Sequence, residues 1–96
     1  MGRSYMLKEV SKLRLLLHQM EAERGLSSLQ AYQRDIIYAI VDVAGKNECA
    51  SIKEIAAHQL VRDIARPTLY RAIKVLVDNG HIERIGSERS GVYKMI

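Results

Sequence analysis

The chain has no tryptophan and no phenylalanine, and only one cysteine and one proline among its 96 residues. Without the two bulkiest hydrophobic rings, a core must be filled by Ile, Leu, Val, Met and Ala, with five tyrosines as the only aromatics. That inventory suits packed helices. The single cysteine, Cys49, can form no internal disulfide, which excludes a disulfide-stapled fold and fits a reducing compartment. Long apolar runs are missing too. The longest near the start is Leu15 to Leu17, too short and too deep in the chain for a secretion signal or a membrane span. A soluble, cytoplasmic protein is expected. The length leaves room for one domain with a modest core and one projecting element, and none for a second, catalytic domain.

What is abundant is positive charge, and it is unevenly spread. The net charge is +4 and the sequence pI about 9.4, a balance that favours an anionic partner. Residues 1–24 carry five Lys and Arg against three Asp and Glu, residues 25–61 three against four, and residues 62–96 seven against four. Within residues 62–74 the ratio is four to one.

Hydrophobic periodicity divides the chain into elements. Residues 3–24 place Met6, Val10, Leu13, Leu17 and Met20 at spacings of four, three, four and three, a heptad seam along one helix, with Leu7 and Leu16 widening it. A lone helix of this length does not stay folded in water with such a face exposed. The face is therefore expected to pack on a second copy of the chain, making residues 1–25 a dimerisation element. The alternative is a first helix folded back on its own core. Gly25 stops this helix, and Leu26-Ser27-Ser28 offers a hydroxyl cap for a second helix over Leu29 to Ala44, with Leu29, Tyr32, Ile36, Ile40 and Val43 facing inward. After a polar connection, Cys49-Ala50-Ser51 is expected to be briefly extended. Ser51 with Glu54 three residues on is a capping-box signature for a third helix starting near Ile52 or Lys53, with Ile55, Ala56 and Leu60 buried. Pro67 opens a fourth helix over about residues 66–79, and Asn79-Gly80 closes it. His81 to Ile85 and Val92 to Ile96 read as strands of a C-terminal β-hairpin around a Gly- and Ser-rich turn.

The expected fold is mainly α with a C-terminal β-hairpin: a winged helix-turn-helix over residues 26–96, preceded by the N-terminal dimerisation helix. The residues also resemble a family. Leu26-Ser27-Ser28-Leu29-Gln30 is similar to the start of the first core helix in MarR-type regulators. The run Arg66-Pro67-Thr68-Leu69-Tyr70-Arg71-Ala72-Ile73, continuing through Leu76, Gly80 and Ile82-Glu83-Arg84, is similar to their recognition helix and first wing strand. The resemblance implies a homodimeric transcriptional regulator that binds double-stranded DNA. Two departures accompany it. About three extra residues separate Glu54 from Thr68, and Ala65 stands where a capping Ser is usual. The sequence also stops at the second wing strand, without the helices that MarR-type proteins use to dimerise and to shape an effector pocket, so dimerisation falls to the N-terminal helix.

Residue chemistry agrees with DNA as the partner. Once the apolar stripe of the fourth helix turns inward, Arg66, Thr68, Tyr70, Arg71 and Lys74 remain for base edges and phosphates of the major groove. Arg71 is the expected base reader, because a guanidinium can grip guanine O6 and N7 with two hydrogen bonds, while Thr68 and Tyr70 suit phosphates or a thymine methyl. In the wing over residues 82–96, Arg89 at the turn, tempered by neighbouring Glu88 and flanked by Arg84 and Lys94, suits the adjacent minor groove or its backbone.

Other chemistry finds no pattern. His18, His58 and His81 have no acidic or cysteine partner at metal-ligand spacing, no Gly-rich phosphate loop is present, and no nucleophile, base and orienting acid recur. No metal, no cofactor and no enzymatic activity are expected, and Cys49 reads as a packing residue. Two other readings use the same outline: a winged helix for protein assembly, and a DNA-binding part of a replication, partition or phage system.

Overall fold

In a computed structural model of the chain, residues 2–87 and 89–96 are described, with side chains from residue 6 onward. Glu88, the acid expected beside Arg89, lies outside the described residues. The chain forms two compact units, one up to Gln30 and one from Ala31 to Ile96. The fold is mainly helical, with a small three-stranded antiparallel sheet near the C-terminus.

The first unit is built on one long helix, α1 (Gly2–Glu23). Its end is set by Gly25, whose φ of +73° suits a residue without a side chain. There the Leu26 N–H donates to the Glu21 carbonyl at 2.8 Å and the Gly25 N–H to the Ala22 carbonyl at 3.2 Å, the paired bonds of a Schellman stop. Every residue from 6 to 20 is exposed, including the whole expected seam, from Met6 and Leu13 at 65% to Leu17 at 37%.

The second unit runs α2 (Ala31–Ala44), a 3-10 turn, β1 (Ala50–Ser51), α3 (Ile52–Ala57), α4 (Arg66–Asp78), β2 (Ile82–Ile85) and β3 (Val92–Met95). Its largest fully buried side chains come from every layer: Ile36 and Ile40 from α2, Ile55 from α3, Leu69, Ile73 and Leu76 from α4, and Ile82 from β2. Burying each contributes about 1.5–3 kcal/mol, which is why short helices of weak intrinsic stability hold here. Among the described residues no polar or charged side chain is buried.

α2 begins at Ala31 rather than Leu29, because the Leu29 N–H closes a separate turn onto the Leu26 carbonyl at 3.1 Å. α3 starts on the expected capping box: the Glu54 N–H donates to Ser51 Oγ and the Ser51 N–H to Glu54 Oε1, both at 3.2 Å. It then ends early. His58 adopts an extended ψ of 143°, which breaks the helical phase, so Leu60, expected inside, is 47% exposed and Val61 is buried instead.

The expected extended stretch at residues 49–51 narrows to β1, which pairs antiparallel with β3, as β2 does on the other side, giving the order β1-β3-β2. Register places Ile82 opposite Met95 and Arg84 opposite Tyr93, with Glu83 opposite Lys94 between them. Since side chains alternate across a strand, Ile82, Arg84, Tyr93 and Ala50 share the face that carries the core, and Glu83 and Lys94 share the other. No helix among the described residues is long and apolar enough to cross a membrane.

Candidate nucleic-acid interface

α4 brings most of the candidate residues to the surface. Pro67 sits in its first turn, where a missing N–H costs nothing, and Ala65 precedes it without a side-chain cap, its carbonyl accepting the Leu69 N–H at 2.9 Å. Leu69, Ala72, Ile73 and Leu76 form the buried stripe. Arg66, Tyr70, Arg71 and Lys74 are exposed on the remaining surface and Thr68 is half-buried. At the far end Gly80, at φ +81°, closes the helix with a second Schellman pair, His81 N–H to the Leu76 carbonyl at 3.0 Å and Gly80 N–H to the Val77 carbonyl at 3.1 Å. Chain direction therefore reverses sharply into β2, and the hairpin stands beside the helix.

Between them lies an open groove of about 640 Å³. One wall is the α4 ridge of Tyr70, Lys74 and Asp78, spaced four residues apart, and the other carries Arg84 and Arg89. Ile52, Ile73, Val77, Gly91 and Tyr93 complete the lining. Among the described residues three cations thus face a single carboxylate, and two consecutive elements, α4 and the hairpin, supply them.

Arg84 is held rather than loose. Its guanidinium lies 5.7 Å from the centroid of the Tyr93 ring, its partner across the hairpin, a cation-π contact. Its Nε is buried without a hydrogen-bond partner among the described residues, and leaving a buried donor unpaired costs about 1–3 kcal/mol. The turn bearing Arg89 is closed by the Ser90 N–H on the Ser87 carbonyl at 3.0 Å, and the Ser90 hydroxyl sits against the Ile85 and Ser87 carbonyls. Farther down, the Ile52 N–H donates to the Gly91 carbonyl at 2.6 Å, tying the start of α3 to the hairpin.

The expected contact residues separate into three groups. Tyr70, Lys74, Arg84 and Arg89 line the groove. Arg66, Thr68 and Arg71 lie outside its lining on the first turns of α4, where Arg71 Nη2 approaches Thr68 Oγ1 at 3.5 Å, a contact too long to restrain it. Lys94 is apart from both. It sits on the opposite face of the hairpin, 3.1 Å from the Glu83 carboxylate, and does not share a surface with Arg84. Strand alternation was the signal that distinguishes the two once the register is known.

No family model, curated protein or solved structure matches the chain. The site therefore rests on its own geometry.

Two residues not foreseen as contributors also shape it. Tyr93, buried in the sheet, supports Arg84. His58 fixes the turn that aims α4: its Nδ1 accepts the Leu60 N–H at 3.1 Å, so the ring proton is on Nε2, which donates to Asp42 Oδ2 at 2.8 Å. This acidic partner lies on α2, sixteen residues away in sequence, beyond the reach of any local spacing rule.

Proposed function

We propose that the chain is a winged helix-turn-helix DNA-binding protein that acts as a homodimeric transcriptional regulator of the MarR-like kind. In this reading α4 enters the major groove, the β2-β3 hairpin is the wing on the adjacent minor groove or backbone, and α1 joins two copies. The element order supports it: a helix, a short strand, two helices joined by a turn, and a hairpin whose second strand pairs back to the short one.

The observation that carries the reading is the groove of Lys74, Arg84 and Arg89 beside the exposed first turns of α4. Phosphates of one strand fit between helix and hairpin, with Arg84 and Lys74 on either side, while Arg71, outside the groove, is free to reach base edges. Phosphate contacts supply affinity and base contacts supply sequence preference, so the two arginines have different roles. Arg84→Ala lowers binding to all duplexes alike. Arg71→Ala costs about 1–3 kcal/mol on the preferred site and much less elsewhere.

The test is selection of bound duplexes from a random pool, followed by titration of the recovered site by fluorescence anisotropy at several salt concentrations. A two-fold symmetric site with half-sites about one helical turn apart is expected. Three phosphate contacts per protomer, six per dimer, predict about a thousandfold loss of affinity between 50 and 200 mM salt. Absence of enrichment at low salt sinks the proposal.

A further inference from the structure

We infer that two copies of the chain join through α1 in parallel and in register, with Glu9 of each copy paired to Arg14 of the other. The inference rests on the reading of α1 as the dimer element and adds its polarity.

On the heptad that the exposed seam defines, Val10 and Leu17 take the a positions and Met6, Leu13 and Met20 the d positions. Among parallel coils, a β-branched residue at a with Leu at d, as at Val10 and Leu13, favours two strands over three or four and leaves polarity open. The flanking positions then decide. Leu7, Arg14 and Glu21 fall at e, and Glu9, Leu16 and Glu23 at g. In a parallel pair each g residue faces the e residue five positions on in the other helix, which sets Glu9 against Arg14 twice, by symmetry, and opposes no like charges at the e and g positions. Among the described residues of its own helix Glu9 pairs with Lys12 at 3.8 Å, a loose exposed pair that leaves its carboxylate able to turn across the seam.

Antiparallel packing has two registers that pair four of the five seam residues a over d. Setting Val10 against Leu13 brings Leu7 to Arg14 and Glu9 to Leu16, with no opposite charges in contact. Setting Leu13 against Leu17 opposes Glu9 to Glu23 and Arg14 to Arg14, which is repulsive. Of the three arrangements only the parallel one uses the charges favourably. Leu15, at the outward f position, stays exposed in all of them and does not discriminate.

The experiment uses the full chain carrying Cys49→Ser, with single cysteines placed on α1 and oxidised gently at concentrations where sedimentation shows the dimer. Met20→Cys is expected to give a covalent dimer and the outward Leu15→Cys to give none, because a disulfide needs Cα atoms within about 7 Å. A dimer in which Met20→Cys stays unlinked, while mixed Met6→Cys and Leu17→Cys chains cross-link, overturns the polarity and leaves the dimer standing. Charge reversal gives a second readout. Glu9→Arg is expected to weaken the dimer about tenfold, and Glu9→Arg with Arg14→Glu to restore it. A tighter dimer on Glu9→Arg alone marks the second antiparallel register, and an unchanged one marks the first. A chain that stays monomeric at every concentration, or one that still dimerises without residues 1–22, overturns the underlying reading of α1 itself.

Discussion

The two units of this protein spend similar apolar side chains in opposite ways. From Ala31 onward, Ile36, Ile40, Ile55, Leu69, Ile73, Leu76 and Ile82 are all at 2% exposure or less. Along α1, eight large apolar side chains between Met6 and Met20 are all more than a third exposed. Composition alone does not separate the regions. What differs is closure: three helices and three strands can enclose a common interior, whereas one helix can cover its stripe only by meeting another surface. A patch of this extent on a monomer is typical of interaction sites, and this is the ground for the proposed association through α1.

The sharpest way to break that contrast is to make the same substitution in both regions. Leu76→Ala removes a fully buried side chain of α4 and is expected to cost about 2–5 kcal/mol, at any protein concentration. Leu13→Ala on α1 removes an exposed one. Its effect is expected to appear only as weaker dimerisation, so its melting temperature, but not that of Leu76→Ala, becomes concentration-dependent in a new range. Thermal melts at a series of concentrations check this. Equal, concentration-independent losses would mean that α1 is covered within its own chain.

A smaller effect is expected from removing residues 1–22. The compact unit should keep its cooperative melt, since it begins at Ala31 and the truncation removes none of its residues. Binding to a two-half-site duplex should fall by about a hundredfold or more, because the second half-site loses its tethered partner, while binding to a single half-site changes little. Gel shifts on the two duplexes separate these outcomes. A similar loss on both would place residues 1–22 in the DNA contact itself.

Most of what was legible in the sequence was local. Gly25 and Gly80 as stops, Pro67 as a start, and Ser51 with Glu54 as a capping box depend on bonds within one turn, and each appears where its residue type demands. The α1 seam was legible because a spacing of four and three needs no tertiary information. Misplacements occurred where distant groups decide. Leu60 lost its inward position to Val61 because His58, anchored to Asp42 on α2, leaves the helical path. Arg84 and Lys94 looked equivalent until the hairpin register put them on opposite faces, and a six-residue connection between β2 and β3 leaves that register unspecified in advance.

The smallest expected effect tests whether the compact unit is as locally encoded as its caps imply. Ser51 is both the second residue of β1 and the N-cap of α3, where its hydroxyl accepts the Glu54 N–H and Glu54 returns a bond to the Ser51 N–H. α3 has only six residues and could not persist alone, so its first turn relies on this reciprocal pair and on the buried Ile55. Ser51→Ala removes the acceptor and is expected to cost about 1 kcal/mol, with Ser51→Asp, which keeps an oxygen at that reach, recovering most of it. Ser51→Ala is exposed to no DNA in the proposed binding mode, so affinity should follow stability and not fall independently of it. Chemical denaturation of the two variants, beside anisotropy on the selected duplex, measures both. A loss of affinity in folded Ser51→Ala would show that β1 and the start of α3 hold the hairpin, through the Ile52 to Gly91 bond, in the orientation that faces Arg84 and Arg89 toward α4.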